Sequence, residues 1–260
     1  MLKLPNPQQT ADEIVTFLAE TFQRAQKTEA VIAVSGGIDS ALSTTLLSRA
    51  LGPEHIHPYL LPYGEQDMTD AWLAVEAAGI PFEQVKEINI RPIVDAISVA
   101  VRDLENGSDS QIRLGNYMAR SRMILIFDAA KKLGALVCGT ENKTEHHLAY
   151  FTRFGDGASD IEPIIGLYKT QVQQLAQHLG LPDPILTKAP SAGLWQGQTD
   201  EAEFGFSYAV ADQVLEQLVD EKITPQEISV SGVDAALVAR VVARVTDTRF
   251  KHEVPYTLKH

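Results

Sequence analysis

Ala30-Val31-Ile32-Ala33-Val34-Ser35-Gly36-Gly37-Ile38-Asp39-Ser40 is the stretch whose reading decides the fold. Its first five residues form an apolar, partly β-branched run, which reads as a buried strand. Two glycines follow and let the backbone turn and come close to a ligand. Residues 40–51 then carry helical spacing and stop at Gly52-Pro53. Strand, glycine turn and helix in this order leave unpaired N–H groups at a helix N-terminus, which suits phosphate. Ser35 and Ser40 add hydroxyl donors. Neither G-x-x-x-x-G-K-[ST] nor G-x-G-x-x-G is present. Asp39 stands where the first of these patterns has lysine, and an acid beside a polyphosphate makes sense if Mg²⁺ lies between them. The competing reading is a plain helix N-cap by Asp39 or Ser40, with the glycines serving only the turn.

Working outward, short apolar runs alternate with helical stretches up to about residue 140. Helices are expected over residues 8–27, 68–78, 92–104 and 114–133, and strands over 56–61, 85–90 and 135–138. Residues 105–110 read as a polar loop. This alternation predicts an α/β fold, an open and mostly parallel sheet with helices on both faces. Ligands in such folds bind beyond the carboxyl ends of the strands. Both Ser35-Gly36-Gly37 and Gly139-Thr140 fall on that edge. Beyond residue 150 the chain reads as more helical, most clearly over 168–179 and 233–245. No linker separates a second domain, so residues 1–260 are expected to form one.

Composition narrows the function classes. Of 260 residues, 45% are hydrophobic and 22% charged, an ordinary globular balance. Lys and Arg total 22 against 34 Asp and Glu, a net charge of −12 that disfavours nucleic-acid or anionic-membrane partners. One cysteine, Cys138, excludes an internal disulfide framework and a cysteine-rich metal cluster, and reads as a core residue. No apolar run approaches a membrane span, and residues 1–12 do not read as a signal peptide. A soluble cytoplasmic protein is the expectation.

The Ser-Gly-Gly-x-Asp-Ser loop after a buried strand resembles that of the ATP pyrophosphatase superfamily (PP-loop, adenine-nucleotide alpha-hydrolase-like), which has a Rossmann-like fold. Further blocks follow in order. They are Gly139-Thr140-Glu141-Asn142-Lys143-Thr144-Glu145, Tyr150-Phe151-Thr152-Arg153-Phe154-Gly155-Asp156-Gly157, Asp160-Ile161-Glu162-Pro163, Leu167-Tyr168-Lys169-Thr170-Gln171, and Pro190-Ser191-Ala192-Gly193-Leu194-Trp195 continuing to Glu201. Together they resemble the NAD synthetase family from about residue 10 to the end of the chain. The glycine loop begins only 34 residues in, so the likeness is to the short, ammonia-dependent type without a glutaminase domain.

The resemblance implies a two-step reaction. The nicotinate carboxylate of deamido-NAD attacks the α-phosphate of ATP, giving an adenylate and pyrophosphate. Ammonia then displaces AMP and leaves NAD. It also implies roles. Ser35, Gly36, Gly37, Ile38, Asp39 and Ser40 match the pyrophosphate cradle. Asp39 and Glu145 match Mg²⁺ ligands. Thr140, Lys169 and Ser191 match ATP contacts, Lys169 on the phosphates. Arg120, Arg153, Asp160 and Lys251 match deamido-NAD contacts. Asp156 matches an acid that assists ammonia, either by taking a proton or by positioning it.

Each residue also has a plainer reading. Glu145 could be a solvated helix acid, Asp156 a Gly-Asp-Gly turn residue, and Lys251 part of a charged tail. Lys169 at a helix start is an unfavourable place for a cation, which supports a functional reason. Arg113 and Arg120 share a helix face and Arg122 points elsewhere. Four departures from the family pattern stand out: Arg153 for lysine, Ser191 for threonine, Phe250 for histidine and His252 for arginine. His146-His147 face about 100° apart on a helix, poor geometry for one metal, and read as surface residues. Residues 64–68 and 192–204 are rich in polar and small residues, and the resemblance implies that they are loops that close over substrates.

The family's homodimeric state puts the dinucleotide site near a subunit interface. A separate glutaminase could feed ammonia, and nothing in the sequence points to one. Two other readings compete. Another PP-loop adenylating enzyme, such as the ATPase part of GMP synthetase or a tRNA thiolase, lacks support from the 150–156 block, from the charge and from the cysteine count. A non-catalytic nucleotide sensor needs no pair of acids such as Asp39 and Glu145.

Overall fold

The computed structural model describes residues 2–101, 109–191, 193–194 and 197–258. In chain order the first half contains α1 (Pro7–Ala25), β1 (Ala30–Ala33), α2 (Ile38–Leu51), β2 (Ile56–Leu60), α3 (Thr69–Ala77), β3 (Lys86–Glu87), α4 (Arg91–Val101), α5 (Ser110–Leu133) and β4 (Leu136–Cys138). The second half contains α6 (Lys143–Leu148), α7 (Lys169–His178), α8 (Asp183–Thr187), α9 (Asp200–Phe204), α10 (Tyr208–Leu215) and α11 (Ala235–Thr248).

The four strands form one sheet in the order β3-β2-β1-β4, parallel throughout. The side-chain period of two sends β1 to both faces. Ala30 and Ile32 pack with Leu18, Leu42, Leu46 and Val172 from α1, α2 and α7. Val31, together with Val137, packs with Val94, Met118, Ile126 and Ala129 from α4 and α5. Helices thus cover both faces, as the alternating pattern predicts, and each fully buried aliphatic side chain adds about 1.5–3 kcal/mol. A third cluster, including Leu148, Tyr168, Phe206, Val214 and Val241, joins the helices of the second half. Among the described residues, no helix is long and apolar enough to cross a membrane.

Some boundaries differ from the sequence expectation. The strand expected over 85–90 is only Lys86–Glu87. Ile88 and Ile90 still donate N–H bonds to Leu60 and Pro62 carbonyls at 2.9 and 2.8 Å, but Pro62 has no N–H to return. The long helix begins at Ser110, inside the expected 105–110 loop. Residues 102–108 lie outside the described residues, as do Ala192, Trp195 and Gln196 of the 192–204 segment. That segment ends in a helix rather than a loop, because Asp200–Phe204 forms α9.

All strands point the same way, so β1 and β4 deliver Val34 and Gly139 to one edge of the sheet. Beyond β4 the chain loops out and returns to pair Ile161 beside Cys138 in parallel. The functional candidates lie in the turns along this edge and in the helices that face it.

Candidate functional site

The glycine loop is built by close approach. Gly36 has φ +78°, and a Cβ there would lie 2.7 Å from the Ala71 nitrogen at the start of α3. Ser40 ties the loop together. Its Oγ accepts the Ser35 N–H at 3.2 Å, lies 3.1 Å from Ser35 Oγ and donates to the Gly37 carbonyl at 3.0 Å. Gly37 precedes α2, and no side chain caps that helix. The plain N-cap reading therefore fails. Ser40 turns away from the first-turn N–H groups, and Asp39 engages residues from the far half of the chain. Ile38 packs into the core beneath the loop.

Asp39 meets Lys169 and Asn142. Lys169 Nζ lies 2.5 Å from Asp39 Oδ2 and 3.1 Å from Glu145 Oε1. Asn142 Nδ2 donates to Asp39 Oδ1 at 2.9 Å. The Asn142 carbonyl oxygen accepts the Glu145 N–H at 3.0 Å, capping α6. The Lys169 side chain is only 4% exposed, and those of Asp39 and Glu145 are each 16% exposed. Burial pushes the Glu145 pKa up to about 8, with Lys169 opposing the rise and Asp39 adding to it. Burial also works against the Lys169 cation, but the two carboxylates outweigh it and raise its pKa. Tyr208 closes the group, donating to Asp200 Oδ2 at 2.8 Å and reaching Glu145 Oε1 at 3.4 Å. Glu145 is thus no solvated helix acid. Asp39 and Glu145 are the pair that could hold a cation, and no third His, Cys, Asp or Glu joins them in a metal cage among the described residues.

A second group surrounds the 149–156 turn. Arg120 donates from Nε and Nη2 to the Arg153 carbonyl at 3.4 and 3.3 Å. Lys251 donates to the Ala149 and Phe151 carbonyls, both at 2.8 Å. The Arg153 guanidinium lies over the Phe154 and Phe250 rings. Phe250, a departure from the family pattern, is thus a stacking partner for another departure. Asp156 accepts the Thr152 N–H at 2.9 Å at the solvent edge. Arg120, Arg153, Lys251 and Asp156 come together, joined to the first group through α6.

Thr140 is half-buried at the carboxyl edge, next to Gly139 and Glu141. Ser191 is exposed in the segment before α9, where its Oγ accepts the Gly193 N–H at 3.1 Å. On one side of it, Lys188 pairs with Asp70, whose Cβ abuts Gly36. On the other, Asp200 meets Tyr208. Asp160 lies beyond β4, where its Oδ2 accepts the Val137 N–H at 2.8 Å.

Several residues escaped the sequence reading. Asn142, Tyr208, Asp200 and Asp212 are buried polar side chains with no periodicity to mark them. Glu162 fills the space beside Gly139, where a Cβ would fall 1.8 Å from its Oε1. It accepts the Glu141 N–H and the Ser159 hydroxyl at 3.0 and 2.7 Å. Burial lifts its pKa to about 7 against those bonds. Arg122 does turn away from Arg120, donating to the Leu61 carbonyl at 3.0 Å beyond β2. His147 is half-buried rather than at the surface, and burial lowers its pKa to about 4. Cys138 is buried in the core.

Residues 10–255 match a family model described as NAD synthase. The chain belongs to the NAD synthase family. It is 42% identical over 246 residues to the NH₃-dependent NAD⁺ synthetase of Pyrococcus horikoshii, covering 94% of this chain and 93% of that one. Among solved structures it is similar to the NMN synthetase of Francisella tularensis, with TM-score 0.84 and 32% identity over 98% of this chain and 99% of that one. The NH₃-dependent NAD synthetase of Campylobacter jejuni gives TM-score 0.80 at 28% identity, over 98% and 100%. As a NAD synthase, the chain carries the Rossmann-like PP-loop fold that the glycine loop predicts.

Proposed function

We propose that the two groups divide the work of an ammonia-dependent, ATP-driven amidation of deamido-NAD to NAD. The chain is an AMP-forming C–N ligase acting through an adenylate. The observation that carries the assignment is Lys169 held between Asp39 and Glu145 at the mouth of the glycine loop. Charge builds on the departing pyrophosphate as the nicotinate carboxylate attacks the α-phosphate. The Ser35–Ser40 loop offers backbone N–H groups and hydroxyls to that pyrophosphate, and Lys169 offers an ammonium to the phosphate oxygens. Thr140 and Ser191 add hydroxyls for the nucleotide.

Asp39 and Glu145 suit Mg²⁺, a hard cation bound through one or two carboxylates plus substrate phosphates. When bound, the ion would neutralise polyphosphate charge. Arg120, Arg153 and Lys251 retain donors beyond those used within the chain and hold the anionic groups of deamido-NAD. Asp156, beside them, receives ammonia. Asp160 adds a further contact to the dinucleotide. The exposed apolar residues Val99, Ile112 and Ile124 of α4 and α5 fit a homodimer through that face.

The likeness to an NMN synthetase favours a second reading, in which nicotinate mononucleotide is the acid amidated. A product assay decides. Purified protein receives ATP, Mg²⁺ and an ammonium salt with either deamido-NAD or nicotinate mononucleotide, and AMP, NAD and NMN are separated by chromatography. AMP and NAD appearing together, only with deamido-NAD and ammonium, are expected. NMN formation at a higher kcat/KM would replace the dinucleotide reading. Asp39→Asn and Glu145→Gln should each lower Mg²⁺-dependent turnover by about 100-fold; intact turnover in both would remove the metal assignment.

A further inference from the structure

Asp212, on α10, is fully buried. Its Oδ1 accepts the Thr144 hydroxyl at 2.6 Å, and its Oδ2 accepts the Thr170 N–H at 2.9 Å. Thr144 Oγ1 in turn accepts the Lys169 N–H at 2.9 Å. Thr144 directly precedes Glu145, and Thr170 directly follows Lys169. One carboxylate thus ties the first turn of α6 to the first turn of α7, at the residues flanking the two charges that meet over Asp39. Its neighbours on α10, Ala211, Val214 and Leu215, supply the packing of that helix. An aliphatic residue at 212 could pack there, but it would leave the Thr144 hydroxyl and the Thr170 N–H without this acceptor. Burying a carboxylate is costly unless it is hydrogen-bonded, and both oxygens are engaged.

We propose that Asp212 is a positioning residue that sets the separation of Glu145 and Lys169 and thereby the geometry of adenylate formation. This rests on the amidation described above. Asp212 touches neither carboxylate of the cation pair. It acts through Thr144 and the backbone of α7. Arg120, Arg153 and Lys251 lie outside the clamp, so the clamp controls turnover and not dinucleotide binding.

The test uses the full chain with ATP, deamido-NAD and ammonium, well below each variant's Tm, with the folded fraction taken from circular dichroism. Asp212→Asn keeps the shape and one acceptor but loses the charge. Thr144→Val removes the hydroxyl at nearly constant volume, and Thr144→Ser restores it. Misplacing a catalytic group by an ångström can cost about 100-fold. Asp212→Asn and Thr144→Val are therefore expected to lower kcat by about 10- to 100-fold per folded molecule. The KM for deamido-NAD should stay within about twofold, and Thr144→Ser should recover most of kcat. A folded Asp212→Asn with the parent kcat would overturn the clamp. So would a Thr144→Val chain with the parent kcat, which decides the matter if Asp212→Asn does not fold. Equal losses in Thr144→Ser and Thr144→Val would also overturn it. Absence of NAD formation by the unsubstituted chain would instead overturn the amidation, and the clamp with it.

Discussion

The two halves of the chain build the site from different materials. Up to Cys138 the contribution is mostly backbone: a strand end, a glycine turn and the uncapped start of α2. It is shaped by exclusion, since Gly36 has no room for a Cβ. After Cys138 the contribution is mostly side chains, and each is held by another. Asn142 holds both Asp39 and the start of α6, and Tyr208 holds Glu145 to Asp200. A cradle for phosphate can be specified by a few residues close in sequence. A set of buried charges needs partners from several helices, because each charge taken from water must be matched. The first half should therefore fail abruptly at single positions, and the second by degrees.

Gly36→Ala tests the abrupt case. The left-handed backbone costs a non-glycine residue about 1–2 kcal/mol, and the new Cβ would meet the Ala71 nitrogen at 2.7 Å. The loop must move, and kcat/KM for ATP should fall by about 100-fold. Gly79→Ala is the control. Its φ is also positive, at +70°, but nothing lies within 4 Å of the added carbon. It should lower stability by about 1 kcal/mol and spare the kinetics. If the two variants show the same ATP kinetics, backbone shape in the first half is not what matters.

Asn142→Ala tests the graded case. It removes a cap, at about 0.5–2 kcal/mol, and one of the bonds that aim Asp39. Urea unfolding should show a loss of about 1–3 kcal/mol, and steady-state rates should fall about tenfold. A rate loss as large as that of Gly36→Ala would erase the distinction between the halves.

The smallest effect on turnover is expected at the seam, where Glu162 of the second half fills the space beside Gly139. Its carboxyl titrates near 7 when folded, against an ordinary 4.5. Between those values the folded chain keeps a proton that the unfolded chain releases. Stability is therefore lost as pH rises through that window. Glu162→Gln carries no such proton. Relative to the parent, its stability in urea should improve by about 1–3 kcal/mol from pH 5 to pH 8. An unchanged difference across that range would show that Glu162 is not buried enough to matter.

The same contrast explains what could be read from the residues alone. β1, the glycine loop and α2 were legible because a buried strand, a turn and a helix each leave a pattern within a dozen neighbouring residues. The long helices α5, α7 and α11 were legible from their spacing. α6 was not, since six residues carry too little periodicity, although Asn142 three residues before Glu145 is a cap signal. Asp212, Asp200 and Tyr208 were invisible because their partners lie up to 68 residues away. Family likeness supplied Lys169, Glu145 and Arg120; Lys169 and Glu145 meet in the first group and Arg120 lies in the second. It also supplied Asp160, which the fold places on the far edge of β4.

That placement has a consequence for how the molecule loosens. The loop between Gly139 and Asp160 is shut at its base by a parallel bridge, by the Gly139 N–H on the Ile161 carbonyl, by the Asp160 and Ile161 N–H groups on the Val137 carbonyl, by the Val137 N–H on the Asp160 carboxylate, and by the Glu141 N–H on Glu162. The turn carrying Arg153 and Asp156 lies inside this latch. If it opens as one unit, the amides of 150–157 will exchange with solvent together, at a lower free energy than those of β1. On warming, the enzyme would then release the 150–157 turn while the sheet and the glycine loop are still intact, and activity would fade before the core melts.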